Sequence, residues 1–283
     1  MTENLLVPLS ASLHHITLES PAPDRLAAFY ERAMQMELTG TQEGILGSAK
    51  GRKIIFVPGT PKTLACTGFA VASARDIDSL CERLKNASIA YAISAETSVL
   101  YQAGAVSFRD LDGNQLVFGV SVSERDHPNE VLPARLQHFV VASMHAAELA
   151  NFYQNVVGFI RSDDVLDESG DLRTTFLRCS NEHHSFAVFQ TAENRFDHHC
   201  YEAGDWGLIR DWSDHFAALD IPVVWGPGRH GPGNNLFLFI HDLDDNWLEI
   251  SAELEIVAAD RPVGKWPHVQ KTLNQWGSAP LRS

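Results

Sequence analysis

The stretch LHHITLES at Leu13–Ser20 returns as LQHFVVAS at Leu136–Ser143, and that echo decides how the chain is built. In both copies a Phe-Tyr pair follows at the same distance. His15 and Phe29 are 14 residues apart, as are His138 and Phe152. A second motif, DLDGNQLV (Asp110–Val117), returns at equal length as DLDDNWLE (Asp242–Glu249). Internal repetition fixes architecture before any local reading does. The second half of the chain repeats the first.

Working outward from Leu13, Ser12 to Leu18 alternates as a strand does. Pro21 and Pro23 follow, then a helix with Asp24 as its cap, because Leu26, Ala27, Phe29, Tyr30 and Ala33 fall at helical spacing. Short strands continue through Ile45, Ile54–Val57 and Phe69–Val71. A second helix is expected over Ala74–Asn86, with Ile77, Leu80 and Leu84 on one face, and then strands at Ala105–Arg109 and Gln115–Val122. A polar, Pro-containing linker, SERDHPNEVLPA, ends this half. Each half therefore holds two βαβββ units, giving an α+β chain of four modules in two pairs, each pair a curved half-open barrel around a cavity. The expected divisions are residues 1–123, residues 134–257, and a tail at 258–283. In that tail Trp266 and Trp276 suit a lid over a pocket mouth or an interface.

With 283 residues, 45% of them hydrophobic, the chain can bury a sizeable core in two domains. A net charge of −14 disfavours nucleic acid and anionic membranes as partners. No apolar run approaches membrane-spanning length. The opening MTENLLVPLS carries Glu3 and no basic segment, so no signal peptide is expected. Cys66, Cys81, Cys179 and Cys200 show no disulfide-type spacing and suit a reducing cytoplasm.

The halves differ where chemistry would sit. Glu249 lies among Trp247, Leu248 and Ile250 on a short strand, and a buried carboxylate is costly unless an arginine, a lysine or a metal ion meets it. His138 lies on the first strand of the second half, and His199 opens the first strand of its last module. In the first half His15 is kept, Gly68 falls near the His199 position and Val117 replaces Glu249. The first domain reads as structural, its metal site lost.

At these residues the sequence resembles the vicinal-oxygen-chelate superfamily and, within it, the type I extradiol ring-cleaving dioxygenases, over nearly the whole chain. The best-matching segments are EHHSFAV (Glu182–Val188), the pair His198-His199, and GPGRHGPGN (Gly226–Asn234), with 19 residues from His230 to Glu249. The resemblance implies an Fe(II) site made by His138, His199 and Glu249, with Mn(II) as the alternative that the same ligand types accept. It implies His184 as catalytic acid/base and His230 as the second pocket histidine, and histidine suits both roles because its ordinary pKa lies near neutrality. The implied reaction is O2-dependent cleavage of a catechol-type ring, in aromatic catabolism, by a cytoplasmic homo-oligomer.

One position departs from the family: Phe239 stands where a tyrosine hydroxyl usually meets the substrate diol. That departure keeps open hydroquinone-type cleavage, isomerisation or epoxide opening, and beyond these a non-catalytic binding protein. Phe176, Phe186, Trp225 and Phe239 either line an aromatic pocket or fill the core. Arg229 either holds a substrate anion or braces its loop. His198 and His183 read as the structural neighbours of His199 and His184, because adjacent strand residues face opposite ways.

Overall fold

The computed structural model describes residues 8–123 and 132–281. The opening Met1–Val7 and most of the linker lie outside the described residues. Four βαβββ modules follow one another. The first is β1 (Ala11–Ser20), α1 (Pro23–Ala33), β2 (Glu37–Gly40), β3 (Ile45–Ala49) and β4 (Arg52–Pro58). The second is β5 (Thr63–Val71), α2 (Ala74–Asn86), β6 (Tyr91–Ile93), β7 (Val106–Arg109) and β8 (Gln115–Gly119). The third is β9 (Arg135–Ser143), α3 (Ala146–Phe152), β10 (Ile160–Leu166), β11 (Leu172–Arg178) and β12 (Phe186–Gln190). The fourth is β13 (Arg195–Gly204), α4 (Trp206–Ala218), β14 (Trp225–Arg229), β15 (Leu236–His241) and β16 (Trp247–Ala252). A tail adds β17 (Gly264–Pro267) and one helical turn, α5 (Gln270–Leu273).

Local choices follow the sequence closely. The α2 helix spans the expected residues, and the Asp76 carboxylate accepts from both the backbone N–H and the hydroxyl of Ser73 at its start. At α1 the expected cap is shifted. Pro23 takes the first helical position behind Ala22, so Asp24 sits inside the first turn, where its charge favours the helix dipole.

Each half forms one open sheet in which two modules join through their first strands. One sheet runs β2-β3-β4-β1-β5-β8-β7-β6 and the other β14-β15-β16-β13-β9-β12-β11-β10-β17. The joints are antiparallel, β1 on β5 and β9 on β13. Within the second sheet, alternate residues serve two purposes, as the pleat requires. Phe139, Val141, Phe186, Val188, Leu238, Ile240, Leu248 and Ile250 enter the main core. Their neighbours His138, Val140, Ala187, Phe189, Phe239 and Glu249 face the other way and line one concavity.

The Phe-Tyr and DLD motifs tie the halves together crosswise. The Tyr30 hydroxyl in α1 donates to Asp242 Oδ2 at 3.0 Å, and the Tyr153 hydroxyl after α3 donates to Asp110 Oδ2, also at 3.0 Å. Each repeat's tyrosine thus reaches the turn carboxylate of the other repeat. Both tyrosines are fully buried. The tail, by contrast, is not loose on the surface: β17 pairs in parallel with β10, extending the second sheet by one strand.

Candidate metal centre

Three strands bring the centre together. On β13, Cys200 lies directly across from His138 on β9 and from Glu249 on β16. Cross-strand partners share a face, and so do residues two apart, so His198 joins His138 and Glu249. His138 Nε2 is 3.2 Å and His198 Nε2 3.4 Å from Glu249 Oε2. One donor atom from each of the three falls within 4.8 Å of the others; among the described residues no other trio does so. Donors about 2.1 Å from a common ion need spacings of this order.

The remaining ring nitrogens fix the imidazoles from behind. His138 Nδ1 lies 2.5 Å from Gln137 Oε1, whose amide nitrogen donates to the His184 carbonyl at 2.5 Å. His198 Nδ1 lies 2.7 Å from Asp197 Oδ1. Such partners set the tautomer and leave Nε2 as the ligating atom. Asn235 Nδ2 donates to Glu249 Oε1 at 3.3 Å, and His230 Nε2 stands 3.6 Å from the same oxygen. The donor set fits a metal ion: two oriented imidazoles and one buried carboxylate, which among the described residues pairs with histidines and with no arginine or lysine.

Electrostatics agree. Burial alone would raise the Glu249 carboxyl, but hydrogen bonds from His138, His198 and His230 hold it well below the usual carboxylate range. Burial pushes His138 down. Burial acts on His198 too, yet the Asp197 and Glu249 carboxylates outweigh it and raise that ring. The Cys200 thiol, on the same face, is driven well above its ordinary range by burial and by Glu249.

The expectation for His199 is corrected here. Its side chain faces the opposite side of β13, where Nε2 lies 3.2 Å from the Tyr30 hydroxyl, and it stacks on Phe196. Burial pushes it down to about 3, so it is a neutral packing group between the halves. His198, taken as its structural neighbour, stands at the centre instead. The repeat alignment shifts accordingly. His15 pairs with Gly68 as His138 pairs with Cys200, so Cys66 is the counterpart of His198 and Val117 that of Glu249. At Gly68 a Cβ would fall 2.0 Å from the His15 ring, so only glycine leaves that ring room.

The other expected residues divide. His184 lines the pocket with its ring 4.4 Å from that of His138, and His230 lines it from the β14–β15 loop. Phe176 and Phe239 also line it. Phe186 does not. It occupies a core position of β12, stacked on Tyr153 at 4.1 Å, because the pleat turns Ala187 and Phe189 to the pocket instead. Trp225 stands behind Phe239 in a stack at 5.1 Å, outside the lining. Arg229 braces its loop, donating to the Asn234 carbonyl at 2.6 Å and to Glu253 at 2.7 Å, so it is not a free anion holder. Sequence reading missed Asp197 and Asn235, for which no motif signals, and the tail residues Thr272 and Leu273, which close one side of the pocket.

Residues 135–250 match the model of the Glyoxalase/Bleomycin resistance protein/Dioxygenase superfamily. Metapyrocatechase 2 of Cupriavidus necator is 26% identical over 158 residues, a match spanning 54% of this chain but only 47% of that protein. Among solved structures, homoprotocatechuate 2,3-dioxygenase from Arthrobacter globiformis superposes with a TM-score of 0.83 at 20% identity, covering 99% of this chain and 92% of that one. A Y-to-F variant of the B. fuscum enzyme of the same name gives 0.83 at 18% identity, over 98% and 81% of the two chains. The Mn(II)-bound glyoxalase from Novosphingobium aromaticivorans gives 0.80 at 21%, over 97% and 93%. These similarities establish the fold.

Proposed function

We propose that this protein is an extradiol dioxygenase that opens a catechol-type ring with O2, using a metal ion held by His138, His198 and Glu249. The observation that carries the reading is this trio at the floor of an aromatic pocket that also presents His184 and His230. His138, His198 and Glu249 would hold the ion with two imidazoles and one carboxylate, a donor set suited to non-haem Fe(II) oxygen chemistry. When bound, Fe(II), or Mn(II) in its place, would supply Lewis acidity toward the diol and the one-electron reactivity that dioxygen requires.

The chain's own groups would do the rest. Val140, Ala187 and Phe189 make an apolar wall, against which Phe176 packs, and Phe239 adds a second aromatic ring to the lining. His184, held well below its ordinary pKa by burial and then by His138 and His183, is neutral, so its ring offers the pocket one N–H donor and one acceptor nitrogen. His230 is anchored by its Nδ1–H to the Leu273 carbonyl at 2.5 Å and turns its other nitrogen to the pocket, where it can hydrogen-bond a substrate oxygen. The cytoplasm suits the four free cysteines.

Phe239 favours a second reading. With no hydroxyl at that position, another metal-dependent reaction of this superfamily, such as hydroquinone-type cleavage or isomerisation, remains compatible with the same trio. The test is metal analysis of anaerobically purified protein, followed by oxygen uptake with 2,3-dihydroxybiphenyl, catechol and hydroquinone. One equivalent of iron and uptake with a yellow product supports the proposal. Metal without uptake on any diol sinks it and moves the function to the second reading.

A further inference from the structure

A buried polar chain runs from the tail to the pocket. Asp163 on β10 is fully buried, and its Oδ1 receives Arg261 Nη1 at 2.7 Å while its Oδ2 receives the Trp266 indole N–H at 2.7 Å. Both donors belong to the tail. His183 Nε2 stands 3.0 Å from the same Oδ2, off the line of the N–H bond. On the other side of that ring, His183 Nδ1 lies 3.0 Å from His184 Nδ1. Both histidines are buried.

The chemistry of these contacts is directional. An ionised carboxylate only accepts, and a bare ring nitrogen 3.0 Å from it would repel it, so Nε2 of His183 carries the proton. Arg261 already provides the countercharge for Asp163, so His183 is not needed as a second cation. A neutral His183 protonated at Nε2 presents a lone pair at Nδ1. His184 must then donate from its own Nδ1, which leaves its Nε2 unprotonated.

We infer that Asp163 and His183 are positioning residues that lock His184 in the Nδ1–H tautomer, and that the tail, through Arg261 and Trp266, holds this chain in place. This rests on the reading of His184 as the pocket's acid/base. It makes the tail part of the site machinery, since the tail also anchors His230 through the Leu273 carbonyl.

The experiment is long-range 1H–15N correlation spectroscopy of the metal-free full chain labelled at histidine, with rings assigned by His183→Gln and His184→Gln. The expected result is His183 protonated at Nε2 and His184 at Nδ1. Arg261→Met leaves Asp163 with His183 as its cationic partner. It is expected to give a doubly protonated His183 and to move the His184 proton to Nε2. Asp163→Asn is expected to lose the fixed tautomer and, where diol oxidation is found, to lower kcat about tenfold with KM within about twofold. A wild-type His184 protonated at Nε2 overturns the inference. So does an unchanged His184 tautomer in Arg261→Met or in Asp163→Asn. Fixed tautomers without oxidation of any diol would overturn the dioxygenase reading and leave this one standing. Diol oxidation with the wrong tautomer would do the reverse.

Discussion

At the scale of single residues, the centre turns on the difference between two adjacent histidines. His198 and His199 are both buried, but one faces Glu249 and the other faces Tyr30. We expect His198→Ala to lose bound metal, with affinity falling at least about tenfold, whereas His199→Ala keeps one equivalent and loses about 1–3 kcal/mol of stability. Elemental analysis paired with denaturant unfolding separates the two; metal loss in His199→Ala alone would contradict the geometry. Phe239 supports a milder prediction. Its ring lies edge-on to His198 at 5.3 Å and faces the pocket, so Phe239→Tyr adds a hydroxyl without displacing core packing. Thermal unfolding should stay within a few degrees of wild type. Turnover of a conventional catechol should be maintained or rise, as steady-state oxygen uptake would show.

At the scale of elements, β17 fixes the tail to the second sheet and α5 supplies Thr272 and Leu273 to the wall of the pocket. Asp163 is the pin. Burial works against its charge, but the nearby His183 N–H, the Arg261 guanidinium and the Trp266 N–H hold the carboxyl down to about 2. The folded pKa lies below the ordinary carboxylate value, so the stabilisation is present above about pH 4 and lost as pH falls toward 2. A shift of this size corresponds to about 2 kcal/mol. The gap in unfolding free energy between wild type and Asp163→Asn should therefore be widest above pH 4 and close below it. A gap that stays constant from pH 5 to 2 would show that the carboxylate's charge is not what secures the tail. The length and tryptophan content of this segment were legible as a cover. Its strand pairing was not, because a four-residue parallel edge strand has no periodicity of its own and exists only where β10 offers an edge.

At the scale of the whole molecule, the repeat closes on itself through Tyr30 with Asp242 and Tyr153 with Asp110. Tyr30→Phe and Tyr153→Phe should each cost about 1–3 kcal/mol, because each leaves a buried turn carboxylate one donor short. The two sites share no partner, so the double mutant should show nearly the sum. Chemical denaturation would reveal coupling if the halves do not stand on these links independently. Acid acts on the whole fold too. His15 is buried and pushed down to about 3 by burial first and by His14 next. Its folded pKa is depressed, so its share of stability is intact above about pH 6.5 and declines by about 1.4 kcal/mol per pH unit below it. His15→Gln should flatten that slope in unfolding curves recorded between pH 7 and 4.

The sequence by itself determined the fourfold βαβββ plan and the α2 boundaries, and its resemblance to a known family implied pocket positions for His138, His184, His230 and Glu249. Equal-length repeats and strict alternation are properties of the chain alone. Tertiary structure alone decided which of His198 and His199 turns to Glu249, and whether Phe186 faces the pocket or the core. Both are questions of strand parity. Parity depends on the cross-strand register of Cys200 with His138 and Glu249, and on the register of β12 with β9, which sets Ala187 beside Val140 and inward. A one-residue shift reverses every side chain on a strand, and nothing within the strand's own sequence records which register its neighbours impose.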